Sequence, residues 1–95
     1  MENDNQLDRI FFALSDAKRR SILTELSEES KSVGELANSF DLTMGAVSKN
    51  IIILEKAGLI HKSKRGRQVY CHMNFDIWRI VAKFIAMQTK FWERR

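Results

Sequence analysis

Residues 41–73 read DLTMGAVSKNIIILEKAGLIHKSKRGRQVYCHM, and the side-chain period changes once within them. From Thr43 to Ala57 it is helical. Projected at about 100° per residue, Val47, Asn50, Ile51 and Leu54 fall on one side, and Gly45, Ser48, Lys49 and Ile52 on the other. Thr43 has the hydroxyl of a helix N-cap, and Gly58 is a stop after the last periodic residue. Beyond Gly58 the side chains alternate. Leu59 to Lys64 and Arg67 to Met73 read as strands, with Val69, Cys71 and Met73 facing one way and Gln68, Tyr70 and His72 the other. Arg65-Gly66 is the natural hairpin tip, where glycine takes a positive φ without steric penalty. The stretch is therefore a helix, 43–57, followed at once by a basic β-wing, 59–73. Near its N-terminus the outer face of the helix is small, polar and basic. Free N–H groups and the positive end of the helix dipole there favour phosphate. Such a pair is suited to lying on DNA.

The preceding residues supply the support for that helix. Met1 to Gln6 is polar and is expected to fray. Leu7, Ile10, Phe11 and Leu14 share the face of a short first helix, and Arg19, Ile22, Leu23 and Leu26 that of a second, capped by Ser15 or Asp16. Ser27 to Lys31 reads as a polar loop. Ser32-Val33-Gly34-Glu35 fits a capping box, in which Ser and Glu satisfy each other's orphan N–H groups. It opens a third helix with Val33, Leu36, Ala37 and Phe40 inward. Asp41-Leu42 then turns the chain so tightly that the third and fourth helices form a helix-turn-helix unit. Asn74 can cap a long last helix from Phe75 towards Arg95. The fold class is mainly α with a small β-hairpin: a winged helix-turn-helix in the order α-α-α-α-β-β-α. One DNA-binding domain is expected over residues 1–95.

Composition narrows the setting. Ninety-five residues suffice for one modest core, and chains of this length are only modestly stable without a partner. The net charge is +4 and the pI near 9.5, an excess that matters mainly through its uneven placement. With one Cys no intrachain disulfide can form, and a reducing compartment is the natural setting. No apolar run reaches the roughly 18 residues needed to cross a bilayer, so a soluble cytoplasmic protein is expected.

ALSDAKRRSILTEL at 13–26, VGELANSFDLTMGAVSKNIIILEKAGLI at 33–60 and RGRQVYCHM at 65–73 resemble the ArsR/SmtB family of bacterial repressors in order, spacing and punctuation. Asp16, Arg19, Ile22 and Leu23 fit the family's entry into the second helix, although Ala17 stands where its proline usually is. Ser48 fits the recognition-helix serine, Leu54 and Gly58-Leu59-Ile60 the helix exit, and Gly66 and Tyr70 the wing. Asn50 departs from a common histidine and Ile52 from a usually polar position. The resemblance implies a homodimeric repressor that releases a palindromic operator when a signal binds or a partner intervenes. It also locates the family's metal ligands. Val33 to Phe40 holds no Cys or His for a site on the third helix, and Asp76 has no His with it on the last. No metal and no cofactor is therefore expected. The signal is left to an unknown effector or partner protein.

The candidate DNA-contacting residues are Thr43, Met44, Gly45, Ser48 and Lys49 on the helix, and Lys62, Lys64, Arg65 and Arg67 on the wing. Ser48 and Lys49 are placed to meet base edges, with Gly45 allowing close approach. The wing arginines would enter or approach the minor groove, and the lysines would neutralise phosphate. Lys18 and Arg20 are equally readable as phosphate contacts or as solvated charge. His61 and His72 can lie across the hairpin from one another, but Cys71 faces the opposite way and is expected to be a small buried hydrophobe.

The last helix, about 75–95, is expected to dimerise. Ile77, Trp78, Ile80, Val81, Phe84, Ile85, Met87, Phe91 and Trp92 occupy about half its circumference, a stripe wider than one small domain requires. Gln88 lies within the stripe, either bonded near the two-fold axis or simply wet. An enzyme is a poor alternative, since no catalytic constellation or phosphate-cradling loop is present. Better rivals are a winged-helix protein-interaction module and a small-molecule-responsive regulator with a pocket around Trp78 and Phe84.

Overall fold

The computed structural model describes the backbone of residues 2–93 and the side chains of residues 5–90. The elements are α1 (Glu2–Leu14), α2 (Ala17–Glu28), β1 (Lys31–Ser32), α3 (Val33–Ser39), α4 (Met44–Lys56), β2 (Ile60–Arg65), β3 (Gln68–Met73) and α5 (Phe75–Glu93). The strands form one antiparallel sheet in the order β1-β3-β2. It is the expected winged helix-turn-helix with one addition. Lys31 and Ser32, expected in a polar loop and at the cap that follows it, pair with Cys71 and Tyr70 and cover the free edge of β3. Two residues are too few to show a strand period in sequence, so only the partner strand reveals them. The loop is shortened at its start as well, because α2 runs on through Glu28.

Local capping explains most boundaries. The Asp16 carboxylate accepts from the Arg19 N–H at 3.1 Å, so Asp16 rather than Ser15 caps α2. Ser32 and Glu35 form the full capping box of α3. The N–H of Ser32 there holds the Glu35 carboxyl below its ordinary range. The expected cap of α5 is absent among the described residues: the Asn74 side chain instead donates to the Gly58 carbonyl at 2.8 Å, tying α5 to the end of α4. α1 also begins at Glu2, before the residues whose apolar spacing marked it.

Ile10, Ile22, Leu26, Leu36, Ile51, Leu54 and Leu59 are fully buried and draw α1 to α4 and the wing into one core. The inward face of α2 is the expected set, Arg19, Ile22, Leu23 and Leu26. Glu25 joins three elements at the surface. Its carboxylate accepts from Lys31 Nζ at 2.6 Å and from the Ser39 hydroxyl at 2.9 Å, and the lysine in particular lowers its pKa.

The stripe of α5 is divided by this packing. Ile77 and Val81, expected in a dimer seam, are already buried within the protomer, because the first turns of α5 lie on the core. Trp78 is half-buried, its indole N–H pointing at Met73 Sδ, 3.0 Å away. Phe84 meets Phe11 of α1 edge-on, ring centres 5.7 Å apart. Ile85 and Met87 are 50% and 62% exposed, and Gln88 is exposed beside them. The side chains of Phe91 and Trp92 lie outside the described residues. Among the described residues no helix is long and apolar enough to cross a membrane.

Candidate nucleic-acid interface

The turn between α3 and α4 is closed by the backbone. Asp41 takes φ 53°, and the Leu42 N–H donates to the Ala37 carbonyl at 2.9 Å, the bonding of a helix that ends in a left-handed residue. The Thr43 hydroxyl accepts from the Ala46 N–H at 3.1 Å and starts α4. Val47, Ile51 and Leu54 bury one face of this helix, which leaves Met44, Gly45, Lys49 and Ile52 exposed and Ser48 half-exposed on the other. Gly58 at φ 78° ends the helix region and turns the chain into the wing.

The wing register pairs Arg65 with Gln68 across a two-residue tip in which Gly66 takes φ 61°. Cross-strand partners share a face. His61, Ser63 and Arg65 therefore lie with His72, Tyr70 and Gln68, and Lys62 and Lys64 lie with Cys71 and Val69 on the side turned to the core. Lys62 and Lys64 thus lie on one face and Arg65 on the other, while Arg67 forms the tip with Gly66 in place of the expected Arg65-Gly66. Arg65 lies over the Tyr70 ring at 5.0 Å. Lys62 reaches back to Glu55 of α4 at 3.2 Å, an acidic neighbour that its surroundings in the sequence do not reveal. An exposed pair of this kind contributes under about 1 kcal/mol, so phosphate can displace it readily.

Met44 and Ser48 of α4, Arg67, Gln68 and Val69 of the wing, and Ser32 to Gly34 at the start of α3 line one groove of about 380 Å³. Of the candidate contact residues, Met44, Ser48 and Arg67 meet there. Thr43, Gly45, Lys49, Lys62, Lys64 and Arg65 lie on the surrounding surface. Gln68 was not among the candidates. Its position beside the Arg67 tip was the available signal. Asn50, read on the inner side of the helix, finds a partner that the sequence does not reveal: its side-chain oxygen accepts from Arg19, a residue far away in the chain.

His61 and His72 stack as the register allows, ring centres 5.0 Å apart. The two nitrogens of His72 lie 2.7 Å from the Ser30 hydroxyl and 2.6 Å from that of Ser63, so hydroxyls occupy both. Cys71 is fully buried on the opposite face, and burial pushes its thiol pKa up to about 11 despite the nearby Lys62 charge. Among the described residues no three His, Cys, Asp or Glu side chains converge as metal donors would. Lys18 and Arg20 remain exposed, and Arg20 donates to the Leu14 carbonyl at 2.7 Å.

Residues 14–63 match the family described as helix-turn-helix domain. Over 71 residues, 75% of this chain and 79% of the relative, the sequence is 29% identical to the transcriptional repressor SdpR of Bacillus subtilis (strain 168). The fold superposes on an ArsR family transcriptional regulator, RHA00566, with a TM-score of 0.88, 37% identity and coverage of 97% of this chain and 95% of that one. It also superposes, with a TM-score of 0.75, 23% identity and coverage of 96% and 85%, on the homodimeric winged helix-turn-helix DNA-binding domain of Mb0332 from Mycobacterium bovis. With the helix-turn-helix, the wing and these likenesses together, the chain belongs to the ArsR family of winged helix-turn-helix transcriptional regulators.

Proposed function

We propose that the protein is a homodimeric, cytoplasmic repressor that binds a palindromic operator, its own promoter included. Each protomer is one domain over residues 1–95, with about 75–95 as the dimerisation helix. The helix 43–57 enters the major groove, where Ser48 and Lys49 meet base edges and Thr43, Met44 and Gly45 line the approach. The wing 59–73 follows the phosphates with Lys62 and Lys64 and reaches towards the minor groove with Arg65 and Arg67. The dimer seam comprises Trp78, Phe84, Ile85, Gln88, Phe91 and Trp92, with Ile77 and Val81 anchoring the start of the helix in the protomer core. The protein catalyses nothing and holds no metal or cofactor, so its signal is a small effector or a partner protein.

One observation carries this reading: the groove shared by Met44 and Ser48 of α4 with Arg67 and Gln68 of the wing. It sets a polar helix face and a basic wing tip on one side of the molecule, as two grooves of one duplex require. Likeness to a repressor and to a homodimeric domain supports the regulatory sign and the assembly. Selection of bound duplexes from random DNA tests it, and the enriched sites are expected to be imperfect palindromes with half-sites about one helical turn apart. Failure to enrich any duplex would turn the reading towards a protein-interaction module. A groove of about 510 Å³ lined by Leu14, Leu23, Met73, Phe75 and Trp78 favours a second reading, regulation by a small apolar molecule. Phe84 does not line that groove.

A further inference from the structure

Ile51, Ile52 and Ile53 follow one another on α4, and the core accounts for two of them. Ile51 is fully buried, and Ile53 packs half-buried against the same cluster. Ile52 joins neither. It is 45% exposed and lies on the face that carries Gly45, Ser48 and Lys49. Met44, Ser48 and Ile52 form one row at i, i+4 and i+8, with Met44 55% exposed. The three are apolar, hydroxyl and apolar in turn, Gly45 and Lys49 run beside them, and exposed Lys56 follows one turn beyond Ile52. Helix propensity does not favour a β-branched residue at such a position.

We propose that Ile52 is a specificity-determining residue that takes the C5-methyl group of a thymine in the major groove. The proposal rests on α4 being the recognition helix and adds what that helix prefers. The thymine methyl is the apolar group on a major-groove base-pair edge, so it matches an exposed isoleucine where bare polar edges do not. Four residues of helix rise about 6 Å. Base pairs stack about 3.4 Å apart, so Ile52 meets a base pair about two steps from the one that Ser48 meets. The contact favours T·A over C·G through the methyl alone and needs no hydrogen bond. Met44 offers the same chemistry at the other end of the row.

The probe is the set of duplexes that the wild-type protein enriches from random DNA, with each thymine replaced in turn by deoxyuridine, which removes only the methyl. At one position in each half-site, the replacement is expected to weaken wild-type binding about fourfold, the equivalent of one methyl group leaving an apolar contact. Ile52→Ala is expected to bind the thymine and deoxyuridine duplexes equally at that position. The substitution lies at an exposed helical site that alanine suits, and circular dichroism confirms that the fold is kept. Wild-type binding indifferent to every deoxyuridine, or the same methyl sensitivity persisting in Ile52→Ala, overturns the proposal while leaving DNA binding intact. Enrichment of no duplex overturns the reading of α4 itself, and this proposal with it.

Discussion

Arg19 Nη1 lies 3.4 Å from Asn50 Oδ1, so one buried guanidinium joins the end of α1 to the middle of α4. Arg19 is only 8% exposed. Its Nε donates to the Ala13 carbonyl at 2.8 Å and its Nη2 to the Phe12 carbonyl at 3.1 Å. The cation thus sits at the negative end of the α1 dipole and over the Phe12 ring, 5.2 Å from its centre. One side chain thus fixes α1 against the helix that would read DNA.

Replacing Arg19 with Met keeps much of its volume but removes all three side-chain hydrogen bonds. Urea unfolding is expected to show a loss of about 1–3 kcal/mol, because the Ala13 carbonyl loses its donor, whereas the Phe12 carbonyl still accepts from the Ser15 N–H and hydroxyl. Asn50→Ala leaves the two shorter bonds in place and is expected to cost under about 1 kcal/mol. Equal losses in the two variants would mean that the guanidinium is solvated and orients nothing.

Replacing Arg65 and Arg67 together with Ala should weaken binding to all duplexes alike. The log–log salt slope should become shallower by up to about four in a dimer, one for each phosphate that an arginine no longer neutralises. Ser48→Ala or Lys49→Ala should instead change the order of preferred sequences. A wing variant that binds as tightly as the parent at moderate salt would remove the wing from the interface.

Zinc, cadmium and arsenite are expected to leave operator affinity unchanged. Hydroxyls already engage both nitrogens of His72, and Cys71 faces away from the histidine pair. The measurement is a metal titration of the protein–DNA complex. Release of DNA at micromolar free metal, lost in a His61→Ala, His72→Ala variant, would establish a wing metal site instead.

Phe84→Asp should produce monomers in sedimentation and weaken DNA binding sharply, because a charge would enter the seam next to Phe11. Wild-type protein that is monomeric at micromolar concentration would defeat the dimer reading entirely. Gln88→Leu is the finer probe: mixed or altered oligomers would indicate that the amide sets helix register, and an unchanged dimer that it is solvated.

The thiol of Cys71 should resist alkylation in the native state at pH 8, since burial raises its pKa to about 11 from an ordinary 9.0. Between those values the unfolded chain loses the proton and the folded chain keeps it. Stability is therefore expected to fall as pH rises from about 9 to 11. Cys71→Ala should remove that part of the alkaline loss in pH-dependent urea unfolding. Alkylation of the native protein at the rate of a free thiol would show that the β3 face opens to solvent.

Local chemistry was sufficient for most of the architecture. The hydroxyl of Thr43, the capping box at Ser32 and Glu35, the stops at Gly58 and Gly66, and the change from helical to alternating period each act within a few residues, so the sequence alone determined the helix-turn-helix and its wing. The alternation also set Cys71 and His72 on opposite faces, whatever packs against them. Contacts between distant residues were another matter. β1 exists because β3 lends it hydrogen bonds, Glu55 reaches Lys62 only once α4 lies beside the wing, and Arg19 finds Asn50 across the core. The division of the α5 stripe has the same cause. A helical period identifies an apolar face but not what covers it, and only the packed chain decided that Ile77 and Val81 belong to the protomer while Ile85 and Met87 remain exposed.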